Sequence, residues 1–346
     1  MPRVEDFEPL VREGLTLKEE NRRKKINMSL LQSREYYKPF EYPWAFEAYQ
    51  MQQKMHWMPL EVTLADDLKD FREKLDKDNK QLLTQIFRFF TQADVDVCCG
   101  YAKHYLPTFQ IPEIRMMLAS FANMEAVHQE AYALLVDTLE YDESEYQMFS
   151  KIKSMADKHE YLTNFNMDTP TDIAKTLAVY SGFTEGVQLF SSFAILLNYP
   201  RHNLMKGMGQ IITWSVRDES LHVEGMSRLF REFVRENPDI WTDKLKYDIY
   251  CAAERVVELE DAFIDTVFDN CTVPELTGEE VKEYIRYIAD RRLLGLGMKK
   301  IFHSRSNPLP WLDHMLNAVE HTNFFENRST EYAKASTTGS WGDIFR

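Results

Sequence analysis

The chain has few of the residues that interrupt helices and few of those that bridge secreted folds. Glycine (12) and proline (13) are sparse in 346 residues, which argues against loop-rich or repetitive architectures. The four cysteines, Cys98, Cys99, Cys251 and Cys271, form no Cys-x-x-Cys pair and are too few for a disulfide scaffold, so reduced thiols are expected. Positive charge is in deficit: 41 Lys and Arg against 55 Asp and Glu give −14, the wrong sign for a general binder of nucleic acid or acidic membranes. No uncharged run approaches the roughly 18 to 20 residues of a membrane span. The N-terminal MPRVEDFEPLVREGLTLKEENRRKK lacks the apolar stretch of a signal peptide, and a cytoplasmic protein is expected.

What is present is helix-forming sequence with a core to match, since 44% of residues are hydrophobic and 28% charged. Residues 1–35 are polar and charge-mixed and read as a mobile arm. Apolar residues Leu82, Leu83, Ile86, Phe89, Phe90 and Ala93 recur at helical spacing in a first long helix over 79–104, with Pro107 as its stop. Further helices are predicted over 112–139, 142–161 with Asp142 as cap, 171–197 before Pro200, 203–236 and 242–268. Thr277-Gly-Glu-Glu280 has the form of a capping box for a helix running to 293. Neither strand-like alternation nor an internal repeat is visible, so a single all-α domain is expected over 36–326, with 327–346 as a polar, flexible tail.

Two of these helices carry the same short pattern. In Glu125-Ala-Val-His128 and in Glu219-Ser-Leu-His222 the carboxylate and imidazole are three residues apart and share a helix face, where both can reach one ion. One such pair is common on solvated helices. Here both sit in apolar contexts, after MMLASFANM and GMGQIITWSVRD, and buried charges need partners or a metal. Two more helices place a carboxylate in equally apolar surroundings, Asp94 in IFRFFTQADV and Glu185 in LAVYSGFTEGVQLF. Asp, Glu-x-x-His, Glu and Glu-x-x-His on four helices is the ligand set of ferritin-like di-iron or di-manganese carboxylate proteins. Four carboxylates would balance two divalent ions, and mixed oxygen and imidazole donors suit iron or manganese better than structural zinc. Asp96, two residues from Asp94, cannot face the same site on a regular helix and is expected to be solvated or paired elsewhere.

Other residues bear on the chemistry. Tyr132 is four residues beyond His128, on the same helix face, and reads either as core or as an oxidisable phenol beside the metals. Asp218 either orients a ligand histidine or makes a helix salt bridge with Arg217. Trp57, in HWMPLEV, reads as a buried anchor, and Tyr332 has no evident packing role.

With these residues in view, the chain resembles the small, metal-containing subunit of class I ribonucleotide reductase along nearly its whole length. The separations 125 − 94 = 31 and 219 − 185 = 34 agree with that family, as do the segments HWMPLEV, EAVHQEAY, VRDESLH, YIADRRLLGLG, NPLPWL and NFFENRSTEY. The resemblance implies that Asp94, Glu125 and His128 bind one metal and Glu185, Glu219 and His222 the other, with bridging carboxylates. It implies di-iron first, with di-manganese or a manganese/iron pair as alternatives. It further implies that oxygen or a related oxidant is activated there, that Tyr132 stores the resulting radical, and that Trp57, Asp218 and Tyr332 pass it on. The receiver would be the large, catalytic subunit, on which the tail ending Trp341-Gly-Asp-Ile-Phe345-Arg346 would dock. A homodimer and an activating flavoprotein belong to the same expectation, and no nucleotide-binding loop is apparent in this chain. Tyr132 argues against the subgroup with phenylalanine at that place, and the intact ligand set against the subgroup without metals. Cys98, one turn past Asp94, has no counterpart in the family pattern. Another ferritin-like oxidase or hydroxylase, or an iron store, remains the alternative at this point.

Overall fold

The computed structural model describes residues 29–316 except 164 and 270, so the expectations for residues 1–28 and for the tail 327–346, with Tyr332, Trp341 and Phe345, lie outside the described residues. Asn21–Leu309 form one compact unit, and the short helical stretch 310–316 belongs to a second. Among the described residues there is no strand, only an isolated bridge between Val273 and Leu276, and the all-α, ferritin-like reading is correct.

Two helices precede those expected: α1 (Pro43–Met55) and α2 (Ala65–Glu73). The first long helix, α3 (Lys77–Gly100), starts where Asp76 accepts a hydrogen bond from Asn79 N at 2.8 Å. It continues in π-helical turns over Tyr101–Tyr105 and on through Leu106–Thr108, so Pro107 is absorbed rather than acting as the stop. The wider turns change the backbone register at which the proline ring would otherwise meet a carbonyl. The next, α4 (Pro112–Thr138), opens with proline at its first position, where no N–H is needed.

The predicted helix 142–161 is two elements, because 3₁₀ turns over Glu143–Lys151 precede α5 (Lys153–Thr163). Asp142 does cap it, accepting from Ser144 N at 2.8 Å. The stretch 171–197 is also broken. Here α6 (Pro170–Thr176) widens into π-helical turns over Leu177–Thr184, returns to α for Glu185–Val187, and gives way to α7 (Phe190–Arg201), which includes Pro200. Three regular helices complete the unit, α8 (Lys206–Glu236), α9 (Asp243–Val267) and α10 (Gly278–Gly295), the last with the Thr277/Glu280 capping box in place.

The site-bearing helices are fixed at their ends and along their seams. α8 is entered through Met205 in the left-handed region, φ 51°, and its first amides, Gly207 N and Met208 N, donate to buried Asp67. α3 and α4 pack side by side, α1 lies on α4, and α8 packs against the π turns of α6. The stretch read as an arm has packed residues at its described end. Leu30 is fully buried, and the Arg34 guanidinium pairs with buried Glu113 at 2.5 Å.

Gly100 marks the closest helix approach, for a Cβ there would meet the Tyr180 hydroxyl at 1.9 Å. That hydroxyl shares its one proton between Asp96 O and Val97 O, at 2.9 and 2.8 Å, in the last turn of α3 before the π turns. Gly100→Ala should therefore expel Tyr180 and cost roughly 1–3 kcal/mol, read as a lowered denaturant midpoint. An unchanged midpoint would mean that α3 and α6 separate there without penalty.

Candidate metal centre

Asp94 on α3, Glu125 and His128 on α4, Glu185 at the end of the π turns, and Glu219 and His222 on α8 are all fully buried. The helical spacing brings each Glu-x-x-His pair to one face, and the packing of α3, α4 and α8 turns those faces together. His128 Nδ1 lies 3.7 Å from Asp94 Oδ2, 3.6 Å from Glu125 Oε2 and 3.3 Å from Glu219 Oε1. His222 Nδ1 lies 2.9 Å from Glu125 Oε1 and 3.5 Å from Glu219 Oε2. Two groups with metal-ligand proximity result, Asp94–Glu125–His128 and Glu125–Glu219–His222, so Glu125 is common to both. Glu185 stands beside the second group, with Oε2 accepting from the Tyr101 hydroxyl at 3.0 Å and Oε1 unpartnered.

The donor atoms are left without hydrogen bonds. Both oxygens of Asp94, Glu125 and Glu219, His128 Nδ1 and both nitrogens of His222 have no partner of adequate geometry. Buried polar atoms are rarely left in that state, and a cluster of them is costly. Burial first, then the neighbouring carboxylates Glu125 and Glu219 respectively, push Asp94 and Glu185 well above the usual carboxylate range. Burial opposes charge on His128, but Asp218, Glu125 and Glu219 outweigh it and raise its pKa. Protons on Asp94, Glu185 and His128 thus compete with cations, and two divalent ions bound by hard oxygen and imidazole donors fit the cluster.

The surroundings orient the donors. Asp218 Oδ2 lies 3.2 Å from His128 Nε2 and accepts from Trp57 Nε1 at 2.8 Å, while Oδ1 accepts from Gln52 Nε2 at 3.2 Å. With Nε2 facing Asp218, His128 turns Nδ1 toward the carboxylates. Arg217 is at most a weak partner of Asp218, at 3.5 Å, and donates to Met55 O at 2.6 Å instead. Trp57 is buried, its ring 5.1 Å from that of Trp214 and 6.0 Å from that of His128.

Tyr132 is buried with its ring 6.2 Å from that of His128 and 4.3 Å from that of Phe90. Its hydroxyl has no partner of full hydrogen-bond geometry, although the Ser215 hydroxyl acts on it, and burial, then Asp94, hold its pKa well above the ordinary phenol value. Asp96 points away from the donors and pairs with His159 Nδ1 at 2.5 Å. Cys98 donates its thiol to Ala122 O at 3.6 Å, and all four cysteines are free.

Several residues around the site are absent from the sequence reading. Tyr101 follows Asp94 by seven residues, two helical turns, which was a readable signal. Gln52, Trp214 and Phe121, whose ring is 4.4 Å from that of His222, carry no pattern that marks them.

Comparison with known proteins agrees with this geometry. The family model "Ribonucleotide reductase, small chain" matches residues 34–308. The probable ribonucleoside-diphosphate reductase small subunit 376L of Invertebrate iridescent virus 6 is 45% identical over 356 residues, covering 92% of this chain and 99% of that one. In fold, the chain is similar to the dimanganese(II)-NrdF of Streptococcus sanguinis, with a TM-score of 0.68 at 23% identity over 79% of this chain and 96% of that one. It is likewise similar to the ribonucleotide reductase Rnr4 homodimer of Saccharomyces cerevisiae, with a TM-score of 0.68 at 19% identity over 95% and 99% of the two chains. No helix among the described residues is long and apolar enough to cross a membrane. A ferritin-like bundle with a buried carboxylate and histidine cluster able to hold metal, matched over most of its length, makes this chain a member of the ribonucleotide reductase small-chain family.

Proposed function

We propose that this small subunit generates a one-electron oxidant, stores it on Tyr132 and passes it to the large subunit, which reduces ribonucleotides to deoxyribonucleotides. The observation that carries the reading is the hydrogen-bonded line Trp57–Asp218–His128, which joins the donor cluster to an oxidisable indole. A ferritin-like oxidase with its own substrate pocket would have no use for such a line.

Asp94, Glu125 and His128 would hold one ion and Glu185, Glu219 and His222 the other, with Glu125 facing both. Iron is the first choice for both positions. Manganese in both, or one of each, is the alternative, and the dimanganese(II) structural neighbour supports the first of these. When bound, the pair supplies redox chemistry with oxygen or a related oxidant. The residues do the rest. Tyr132 would give up an electron to the oxidant formed there and its hydroxyl proton to a base at the site, Asp94 being the carboxylate that acts most strongly on that hydroxyl. Burial keeps water from the resulting phenoxyl. Asp218 accepts the indole N–H of Trp57, so electron and proton can leave that ring together.

Tyr332 would continue the path and the tail 327–346 would dock on the large subunit. A homodimer, a cytoplasmic site and an activating flavoprotein complete the reading, and the yeast homodimer supports the first of these.

The test is electron paramagnetic resonance with metal analysis after iron or manganese loading and oxidation. A tyrosyl signal is expected from the wild type and none from Tyr132→Phe at equal metal content. A signal of unchanged line shape in Tyr132→Phe would move the stored radical to another residue. No ribonucleotide reduction with a matching large subunit, under any loading, would overturn the reading as a whole.

A further inference from the structure

Glu185 sits where its helix is least regular. The π-helical turns of Leu177–Thr184 end just before it, it opens a single α stretch of three residues, Glu185–Val187, and the helix breaks before Phe190. Breaks of this kind free backbone carbonyls that must find other donors. Two are taken by cations from distant helices: Lys158 on α5 donates Nζ to Gln188 O at 3.0 Å, and Arg292 on α10 donates Nε to Gly186 O at 2.9 Å.

Both cations are built into the core. Lys158 is fully buried, pairs with Glu260 Oε1 at 2.5 Å, and lies 4.0 and 4.1 Å from the ring centroids of Phe89 and Phe263. Ser191 donates to the other oxygen of Glu260. Arg292 is partly buried, its guanidinium 4.9 Å from the Phe190 ring centroid. Its approach depends on Gly186, where a Cβ would lie 2.8 Å from Nε. A buried ion pair is a weak source of stability, because desolvation offsets the attraction and an apolar replacement is often neutral or better. Stability alone gives no reason for Lys158 and Glu260 here. What an apolar pair could not do is bind the freed carbonyl.

We propose that Lys158 and Arg292 are positioning residues for Glu185, pinning the backbone one and three residues beyond it so that its carboxylate stays at the second metal position. The proposal rests on Glu185 being a ligand. Without the pins, the π turns and the break can exchange register, and a slip of one residue turns a side chain about 100° around the helix axis. Tyr101 holds only one oxygen of Glu185 and could not resist that rotation alone.

The test is Mn(II) titration of metal-free, full-length protein, following free Mn(II) by paramagnetic resonance, alongside the melting temperature of the metal-free protein. Wild type should bind two ions and Glu185→Gln one tightly. Lys158→Met/Glu260→Met removes both buried charges together, so neither is left unpaired. It should weaken the second ion roughly 10- to 100-fold, the usual effect of losing a group that orients a ligand, with the first ion unaffected and the melting temperature not lowered. Arg292→Met makes the same prediction without touching the buried pair. Two tight ions in both of these variants, with Glu185→Gln impaired, would overturn the positioning role. Two tight ions in Glu185→Gln would instead overturn Glu185 as a ligand. Equal weakening of both ions would make the cluster a general support of the fold and would also overturn the proposal.

Discussion

Glu125→Ala is expected to abolish tight binding of both metal ions, where loss of an acid at only one position should cost one. The reason is the placement of its two oxygens, Oε1 2.9 Å from His222 Nδ1 and Oε2 3.6 Å from His128 Nδ1. Metal analysis after loading and desalting should give close to two ions per chain for wild type and close to none for the variant. Thermal unfolding gives a second readout. A ligand at about a thousandfold excess over its Kd stabilises the native state by about 4 kcal/mol, so wild type should melt higher with metal and the variant should not respond. Metal affinity in wild type should also rise with pH. Asp94, Glu185 and His128 all have raised pKa values without metal, so protons must leave as cations enter. One ion retained by Glu125→Ala would show that the oxygens do not serve both positions.

The second large effect concerns the line from the cluster to Trp57. Trp57→Phe removes the indole N–H that Asp218 accepts at 2.8 Å and leaves the donor atoms untouched. Metal content and the tyrosyl signal should persist, while ribonucleotide reduction with the large subunit should fall to background. Asp218→Asn should act on both sides of the line. It removes the carboxylate that sets the His128 tautomer, at 3.2 Å, and should weaken metal binding roughly 10- to 100-fold as well as blocking turnover. The contrast between the two variants is the informative result. Turnover near wild type in Trp57→Phe would take the indole off the path, and equal metal loss in both would make Trp57 a support of the site.

Some differences between expectation and structure have specific causes. The interruptions within 142–161 and 171–197 leave little trace in the sequence, because π and 3₁₀ turns use the same residue types as α turns and are selected by packing. Tyr180, whose hydroxyl takes two carbonyls of α3, is one such selecting contact. Asp96 is set off the metal face by helical periodicity alone, as expected, yet its partner His159 comes from a helix sixty residues on and could not be named.

Periodicity, capping residues, the two Glu-x-x-His pairs and the apolar settings of Asp94 and Glu185, read from the chain alone, pointed to an all-α protein with six buried candidate ligands on four helices. These are local properties, repeated every few residues, and a linear text records them. Tertiary structure decided what lies across the gaps: that Glu125 faces both histidines, that Asp218 couples His128 to Trp57 across 90 and 161 residues of sequence, and that Lys158 and Arg292 meet the break behind Glu185. Such contacts depend on the angles and offsets at which helices pack, set by many side chains at once, and no short segment specifies them.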